Sequence, residues 1–352
     1  MTDVEESRVG VAKLLGFVAR LFEAEGLPAD HAVLAAEALV DADRRGVKTH
    51  GVVRIPLYAK RLRAGLLNAE PDLRVESLMP ANRVIHADNA VGMVAARIAM
   101  DECMDAATTL GIGAATVRHA NHFGAASVHT IRAARRGMIS IAMSPGSRTL
   151  APHGSAAPLL GTNPLAIAAP AGRHAPWSLD MAASVAARGH VRLAARDGRK
   201  IPEGWALDSE GRPTTDADAA LQGVMLPFGG AKGSGLAMMV ELMAGVLSGS
   251  AATGDVRDWV ADFGGPADVG HFFLAMKVEA FMPLAEYNAR METMITRLKA
   301  LPPAEGFVEV LYPGERAGRA EADADTGGVI LSAETARDLS AHAATLGIEA
   351  PF

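Results

Sequence analysis

The apolar residues of this chain change their spacing near residue 72. Before that point they recur at helical spacing over residues 14–22 and, after a break at Gly26-Leu27-Pro28, over residues 32–40. A third helix is predicted between the turn Thr49-His50-Gly51 and Gly65. After residue 72, short β-like runs alternate with helical stretches at 91–110 and 124–136; the runs include Arg83–His86, Ala114–Val117, Ile139–Ala142 and Leu165–Ala168. This pattern predicts a mixed α/β protein with a helical N-terminal segment.

The last third of the chain continues this alternation. A strongly apolar helix is predicted after Gly235, a strand over 271–278, an amphipathic helix over 283–301 and a final helix near 332–346. A loop rich in Asp, Glu and Gly is expected before the final helix. Because this loop separates that helix from the α/β core, we expect it to pack with the N-terminal helices. The predicted organisation is one helical layer from residues 1–71 and 302–352, and one α/β domain from residues 72–301.

Composition excludes several classes of protein. A chain of 352 residues with 49% hydrophobic and 21% charged residues is typical of a globular enzyme. Cys103 is the only cysteine, which rules out an internal disulfide or a cysteine-cluster metal site and favours a reducing cytoplasm. The acidic start MTDVEESRVG does not resemble a signal peptide, and no apolar stretch reaches the ~18–20 residues of a membrane span. A membrane is therefore not expected as a partner, and with a net charge of −6 neither is nucleic acid.

Several short segments concentrate histidine, arginine, asparagine, glycine and aspartate within otherwise apolar surroundings. They are ADRRGVKTHGVVRIPLY at 42–58, HANHFGAA at 119–126, GTNPLAIAAP at 161–170, LDMAASVAARGH at 179–190 with IPEGWALD at 201–208, and LPFGGAKGSG at 226–235. In their order, spacing and residue identities these segments resemble the malate/L-lactate dehydrogenase type 2 family. This family includes malate, lactate, sulfolactate and ureidoglycolate dehydrogenases and some cyclic imine reductases. The resemblance extends to GHFFLAM at 270–276 and LYPGER at 311–316, and so covers nearly the whole chain.

This resemblance implies a fold and an activity. It implies an oxidoreductase that uses NAD or NADP, acts on a small carboxylic acid and forms a homodimer. It also implies that residues 72–301 form a cofactor-binding domain with a largely antiparallel central sheet, unlike the Rossmann fold. The residues agree with the last point, because no G-x-G-x-x-G follows a plausible strand and opens a helix.

His50 and Arg54 form the first candidate pair of site residues. Hydride transfer to a C=O or C=N bond requires a proton donor near neutral pKa, and histidine suits that role. Arg54 follows four residues later, so a helix starting at Gly51 would direct both side chains into one cleft, where the guanidinium could bind a carboxylate. The resemblance implies the same roles. Members of the family usually have serine before the histidine. This chain has Thr49 there, which also carries a hydroxyl. Alternatively, His50 ends a helix and Arg54 is a surface charge.

His119 and His122 raise the possibility of a metal site. No carboxylate or cysteine accompanies them at ligand spacing, and hydride transfer from nicotinamide needs no metal, so we predict none. His122 is instead the rival of His50 as proton donor, since some relatives use a histidine at this position. The resemblance implies that the cofactor is lined by a run of consecutive residues, namely His122, Phe123, Gly124, Ala125 and Ala126.

The glycine–lysine segment, residues 229–235, precedes an apolar helix. Backbone N–H groups and Lys232 would there form an anion site suited to a pyrophosphate, with Gly233 beside it. The resemblance implies further cofactor contacts from Asp180, Met181, Ala182, Glu315 and Arg316, and a substrate contact from Thr162. Read locally, Asp180 could equally cap a helix, and the Gly161–Pro164 stretch could be only a turn.

His190 leaves the substrate class open. The 2-hydroxy acid members of the family generally carry lysine at this position, and the cyclic imine reductases carry aspartate. A histidine here could bind the substrate as a second titratable group. The sequence therefore supports a 2-oxo/2-hydroxy acid dehydrogenase first, a cyclic imine reductase second, and a non-catalytic dinucleotide-binding protein as an alternative of another class.

Overall fold

The N-terminal segment forms a helical hairpin. In the computed structural model, which describes residues 7–352, it comprises β1 (Ser7–Val9), α1 (Val11–Ala24) and α2 (Ala29–Arg44). Leu14, Phe17 and Leu21 are fully buried and lie on one face of α1, as the helical spacing predicts. Pro28 precedes α2, where its fixed backbone angle ends the connection and starts the helix.

The segment after α2 is more tightly wound than predicted. Two 3₁₀ turns, Lys48–His50 and Val52–Arg54, precede α3 (Ile55–Arg63), so the helix begins at Ile55 and not at Gly51. Gly51 separates the turns because it has no room for a side chain: a Cβ there would lie 2.1 Å from the Asp43 carboxylate. His50 and Arg54 are therefore placed by turns and not by one regular helix.

The remaining elements follow in chain order. The first group is α4 and α5 with six strands: β2 (Arg74–Met79), β3 (Asn82–His86), α4 (Gly92–Leu110), β4 (Ile112–Ala120), α5 (Ala126–Ala134), β5 (Met138–Met143), β6 (Leu165–Ala169) and β7 (Trp177–Met181). A smaller lobe follows: α6 (Arg188–Arg196), β8 (Ala206–Leu207), β9 (Pro213–Thr214), α7 (Ala217–Gln222), β10 (Val224–Met225) and α8 (Ala231–Val240), which continues as a π-helical turn, Glu241–Val246. The chain ends with β11 (Val269–Lys277), α9 (Leu284–Lys299), α10 (Glu315–Gly327), β12 (Val329–Leu331) and α11 (Ala333–Thr345).

A seven-stranded sheet forms the centre of the molecule. Its strand order is β2-β3-β4-β11-β5-β6-β7, and every neighbouring pair is antiparallel except β3 and β4. Helices α4 and α5 pack on this sheet, whereas β8, β9 and β10 form a separate small sheet. The chain is therefore a mixed α/β protein with a mostly antiparallel central sheet, as predicted.

The two ends of the chain meet in the structure. Strand β1 pairs with β12, and α10 and α11 contact α2 and α3. Buried residues from both segments join one apolar cluster, for example Phe17, Leu39 and Leu339. Within residues 7–352, no helix combines the length and the apolar character needed to cross a membrane.

The prediction of a loop before the final helix is wrong, because α10 occupies that region. Its sequence is polar and contains glycine, so propensity alone does not favour a helix. Ion pairs with distant residues stabilise it instead: Glu321 accepts from Arg45 at 2.7 Å and also pairs with Arg135, and Glu315 pairs with Lys299 at 2.9 Å. Such tertiary contacts are invisible in a local pattern.

Candidate active site

The turn before α3 holds His50 against Thr49. The Thr49 hydroxyl lies 3.0 Å from Nδ1 of His50, which leaves Nε2 of that ring for another partner. Burial, and after it the positive charge of Arg54, lowers the pKa of His50 to about 4. His50 is therefore a neutral imidazole at neutral pH.

Arg54 is anchored by its inner nitrogen only. Its Nε donates to the backbone oxygen of Thr49 at 2.7 Å, and its guanidinium carbon lies 5.5 Å from the centre of the Trp259 ring. Within residues 7–352 no carboxylate pairs with this half-buried cation. The two terminal nitrogens of Arg54 can therefore receive an anionic ligand.

His122 lies between two other rings. Its imidazole stacks on Trp259 with ring centres 4.2 Å apart, and it also stacks on His50 with ring centres 5.6 Å apart and the planes 21° apart. The Tyr58 hydroxyl lies 2.7 Å from His122 Nδ1, and the Gly124 N–H donates to the same atom at 3.4 Å. Because a backbone N–H can only donate, Nδ1 is the acceptor and the ring proton lies on Nε2.

The electrostatics of the stack keep His122 neutral as well. Burial is the largest cause holding its pKa well below the ordinary 6.5, followed by His50, Arg54 and His271. Burial also raises the pKa of the Tyr58 hydroxyl, so this group stays protonated. The two candidate proton donors thus share one site, and protonation of either opposes protonation of the other.

Two buried histidines fix the backbone on both sides of His122. Nε2 of His271 donates to the oxygen of Asn121 at 2.9 Å, and Nε2 of His129 donates to the oxygen of Phe123 at 2.8 Å. Burial lowers the pKa of His271 to about 3 and that of His129 to about 4. Both rings therefore act as neutral hydrogen-bond donors within the core.

The other predicted segments converge on the end of β7. Asp180 accepts a hydrogen bond from the N–H of Ser127 at 3.0 Å, which places it at the start of α5, beside the run 122–126. Just after β7, the N–H of Ala183 donates to the oxygen of Thr162 at 2.7 Å, and its oxygen accepts from Phe228 at 3.0 Å. The end of β7 therefore links Thr162, the start of α5 and the glycine–lysine segment. Met181 and Ala182 lie in this linking stretch.

The glycine–lysine segment has the features of an anion site. Gly229 and Gly230 have φ of 58° and 61°, a left-handed backbone that glycine adopts without strain, and they precede α8. Lys232 is exposed and has no carboxylate partner within residues 7–352, and buried Gly233 packs against Phe228. The N–H groups of Gly230, Lys232, Gly233 and Ser234 already donate within this turn, so the charge of Lys232 at the start of α8 is the feature that fits the pyrophosphate of NAD or NADP. Among the described residues, no hydrogen bond or ring contact joins this segment directly to His50 or Arg54.

Three predicted site residues have other neighbours. The carboxylate of Glu315 is engaged by Lys299 and Arg319, whereas Arg316 next to it is exposed. His190 lies exposed on α6, with its ring 6.5 Å from that of Trp205. No contact within residues 7–352 brings these side chains to His50, and their proposed roles stay predictions.

His119 and His122 point to different partners. Nδ1 of His119 lies 2.8 Å from the Asp268 carboxylate, at a cleft of about 720 Å³ away from the stacked rings, whereas His122 contacts Tyr58. A φ of 57° at His119 turns the chain between the two side chains. They therefore do not share a ligand sphere in this geometry.

Sequence reasoning missed several residues of the site. Tyr58 stands at the end of the segment 42–58, four residues after Arg54, so helical spacing could have placed it there. Asp43 accepts from the N–H of Val52 at 2.7 Å and supports the turn that carries His50. Together with Arg54 it lines a second cleft, of about 400 Å³. Trp259 lies in a long loop without any motif, and nothing in the sequence signals its position.

Comparison with known proteins identifies the relatives of this chain. The family model described as malate/L-lactate dehydrogenase matches residues 9–340. The L-sulfolactate dehydrogenase of Methanocaldococcus jannaschii is 38% identical over 290 residues, 82% of this chain and 83% of that protein. The NAD(+)-dependent ureidoglycolate dehydrogenase of Escherichia coli K12 is 37% identical (82% of each chain), and the (2R)-3-sulfolactate dehydrogenase (NADP(+)) of Chromohalobacter salexigens is 39% identical (84% of this chain, 86% of that one).

Two solved structures share the fold. The sulfolactate dehydrogenase of Methanocaldococcus jannaschii superposes with a TM-score of 0.90 at 34% identity and covers 97% of this chain and 98% of its own. The Δ1-piperideine-2-carboxylate reductase of Pseudomonas syringae superposes with a TM-score of 0.86 at 29% identity, covering 96% of this chain and 99% of its own. The likeness therefore extends over the whole length of both chains.

Proposed function

The chain belongs to the malate/L-lactate dehydrogenase family, and we propose that it transfers hydride between a nicotinamide cofactor and C2 of a small 2-oxo or 2-hydroxy carboxylic acid. As an NAD(P)-dependent oxidoreductase it shares its chemistry with relatives named for NAD(+) or NADP(+). The observation that carries the proposal is the pairing of an uncompensated cation, Arg54, with two stacked neutral imidazoles, His50 and His122.

Arg54 is the proposed ligand of the substrate carboxylate. Its terminal nitrogens form a planar fork that matches the two oxygens of a carboxylate. The bond from its Nε to Thr49 and the Trp259 ring fix the direction of that fork. Because Arg54 is half-buried, the charged hydrogen bonds it makes are screened less than at the surface.

His50 is the proposed proton donor and acceptor at the C2 oxygen. Thr49 holds its Nδ1, so Nε2 faces the reacting atoms in this proposal. In the free protein His50 is neutral and can accept the hydroxyl proton of a 2-hydroxy acid. In the direction of reduction it must first be protonated. A substrate carboxylate on Arg54 favours this step, because it offsets the positive charge that lowers the pKa of His50.

The cofactor is proposed to bind along the start of α5 and the end of β7. When bound, the nicotinamide supplies or accepts the hydride. Phe123–Ala126 and Asp180–Ala182 would line it, and Lys232 with Gly233 would hold its pyrophosphate. The proposed binding mode differs from that of a Rossmann fold, since Asp180 and Met181 lie on a strand, β7, that is antiparallel to its neighbour, and no G-x-G-x-x-G is present.

We also propose that two copies of the chain associate. Met238, Leu242 and Val246 follow each other at four-residue spacing along α8 and its π-helical turn, and their exposed fractions are 48%, 57% and 63%. An apolar helix face of this kind is usually covered by another surface. Size-exclusion chromatography with light scattering would test the dimer.

Reduction of a cyclic imine that carries a 2-carboxylate is the second candidate function. The fold shared with the piperideine-2-carboxylate reductase favours it. Arg54 could bind the carboxylate of such an imine in the same way.

A panel assay tests the proposal. The purified protein is mixed with NADH or NADPH and with pyruvate, oxaloacetate, sulfopyruvate or Δ1-piperideine-2-carboxylate, and consumption of the reduced cofactor is followed by absorbance. Turnover with the linear 2-oxo acids supports the dehydrogenase, and turnover with the cyclic imine alone supports the reductase. If no compound is reduced and neither dinucleotide binds in a fluorescence titration, the proposed function is wrong.

A further inference from the structure

We propose that Trp259 is a positioning residue of the active site, held in place by Arg61, and that its indole orients Arg54 and His122 toward the substrate. This inference rests on the proposed function. The following contacts carry it.

Trp259 touches three separate residues of the site. Its ring stacks on His122 at 4.2 Å with the planes 10° apart, lies 5.2 Å from the Tyr58 ring and faces the Arg54 guanidinium at 5.5 Å. A flat aromatic surface attracts a guanidinium through its ring electrons and packs face to face with an imidazole. The Trp259 side chain thus contacts and orients both Arg54, the proposed carboxylate ligand, and His122, the rival proton donor.

Arg61 explains how a loop residue can hold such a position. Its side chain is fully buried, and within residues 7–352 it has no carboxylate partner. It donates instead to the backbone oxygens of Trp259 and Asp262, both at 2.9 Å, and to that of Gly265 at 3.4 Å. A buried charge is costly unless it is hydrogen-bonded, and although Nε of Arg61 has no partner, both terminal nitrogens are bonded to these carbonyls, so the carbonyls and Arg61 stabilise each other.

Arg54, Tyr58 and Arg61 therefore act together on the Trp259 loop, residues 257–265. Arg54 is the residue just before α3, and Tyr58 and Arg61 follow on the helix at spacings of four and three residues, which places the three on one side. Arg61 binds the loop backbone, and Tyr58 and Arg54 pack against the indole. The helix that follows directly after Arg54 thus also fixes the ring that orients it.

Hydrogen bonds and an ion pair within the Trp259 loop also hold its conformation. Oδ1 of Asp258 accepts from the N–H groups of Val260 and Ala261 at 2.8 and 3.0 Å, and Arg257 pairs with Asp262 at 3.2 Å. The loop is therefore ordered by its own contacts as well as by Arg61. A substitution at Trp259 should remove the ring without releasing the loop.

Kinetics of Trp259 variants test the proposal, with the acid that the wild-type protein turns over. Trp259→Ala should raise KM for the acid about tenfold and lower kcat about tenfold, because both Arg54 and His122 lose a contact surface. Trp259→Phe should change each by about threefold, since a smaller ring remains. Trp177→Phe, a matched change on β7, should keep both constants. A Trp259→Ala protein that folds and retains wild-type KM and kcat would overturn the proposal.

A double-mutant cycle tests whether Trp259 affects KM through Arg54. If Trp259 acts through Arg54, its removal should raise KM much less in an Arg54→Lys background than in the wild type. Additive effects on KM contradict the proposal. Arg61→Lys keeps the charge but cannot reach all three carbonyls, so it should shift KM in the same direction as Trp259→Phe. A folded Arg61→Lys protein with wild-type kinetics would exclude Arg61 from this role.

The fluorescence of Trp259 reports directly on binding at the site. In a Trp177→Phe, Trp205→Phe protein, Trp259 is the only tryptophan. Its emission should change on titration with oxamate, a non-reducible mimic of a 2-oxo acid, and saturate at the concentration that inhibits turnover. Inhibition by oxamate without any change in emission would count against Trp259 while the proposed function stands. Absence of turnover in the wild-type protein would instead remove the proposed function.

Discussion

The imidazole rings of His50 and His122 lie face to face, with their centres 5.6 Å apart and their planes 21° apart. At this distance a proton on one ring repels a proton on the other, and His50 is among the causes that lower the pKa of His122. The pair therefore holds at most one proton near neutral pH. Only one of the two can donate it to the substrate, and substitution of each in turn identifies which.

Replacing His50 by Ala should lower kcat by about a hundredfold to ten-thousandfold, the range typical of a lost acid–base group. Dinucleotide affinity should stay nearly unchanged, because His50 is proposed to act at the C2 oxygen. His122→Ala should weaken dinucleotide binding as well, since His122 stands in the run that is proposed to line the cofactor. Steady-state kinetics and fluorescence titration separate the two results. His31→Ala, on α2 outside the site, serves as the control. Full activity in His50→Ala would shift the acid role to His122.

Replacing Arg54 by Gln should raise KM for the acid about a hundredfold with a smaller change in kcat, because the charged fork to the carboxylate is lost. The same change should raise the pKa of His50, since the Arg54 charge lowers it. NMR titration of the His50 ring in the free protein measures this shift without substrate. Arg20→Gln, an exposed change on α1, should leave both quantities as they are. An unchanged KM would show that the carboxylate binds elsewhere.

The sequence predicted the regular elements better than it predicted the site. Apolar spacing located α1, α2 and the strands β3, β5 and β6 because their buried faces repeat locally. Helix α10 was not predicted, because its stability comes from ion pairs such as Glu321 with Arg45, which lie 276 positions apart in the sequence.

The same limit applies to the active-site residues. His50 and Arg54 could be paired from their spacing, although turns and not a helix bring them together. Trp259 could not be placed at all: it reaches His122 across more than a hundred residues, from a loop without periodicity. Contacts of this kind depend on how the sheet and α3 bring distant loops together.

Replacing Asp43 by Asn should stabilise the protein more at pH 7 than at pH 4. Burial raises the pKa of Asp43 from 3.8 to about 7. In the unfolded chain this carboxyl loses its proton near pH 3.8, whereas the folded protein keeps it until about pH 7. The contribution of Asp43 to stability is thus present below pH 3.8 and is lost as the pH rises to 7, by at most about 1.4 kcal/mol per unit.

Asparagine at position 43 cannot ionise and can still accept from the Val52 N–H. The difference in urea midpoint between Asp43→Asn and wild type should therefore grow from pH 4 to 7 and then level off. Asp30→Asn, an exposed change, should show no such trend. A difference that is constant with pH would mean that Asp43 is ionised in the folded protein throughout this range.

Replacing His271 by Gln should make the protein more resistant to acid. Burial lowers the pKa of His271 from 6.5 to about 3. As the pH falls, the unfolded chain therefore binds a proton on this ring near pH 6.5, whereas the folded chain binds it only near pH 3. The stability that comes from the neutral ring is present above pH 6.5 and is lost as the pH falls, by at most about 1.4 kcal/mol per unit. Glutamine keeps an N–H for the oxygen of Asn121, the residue before His122, and does not titrate. The fall in Tm between pH 7 and pH 4.5 should therefore be smaller in His271→Gln than in wild type, whereas His31→Gln should follow the wild type. An equal fall in Tm would show that other groups, such as His129, dominate acid unfolding.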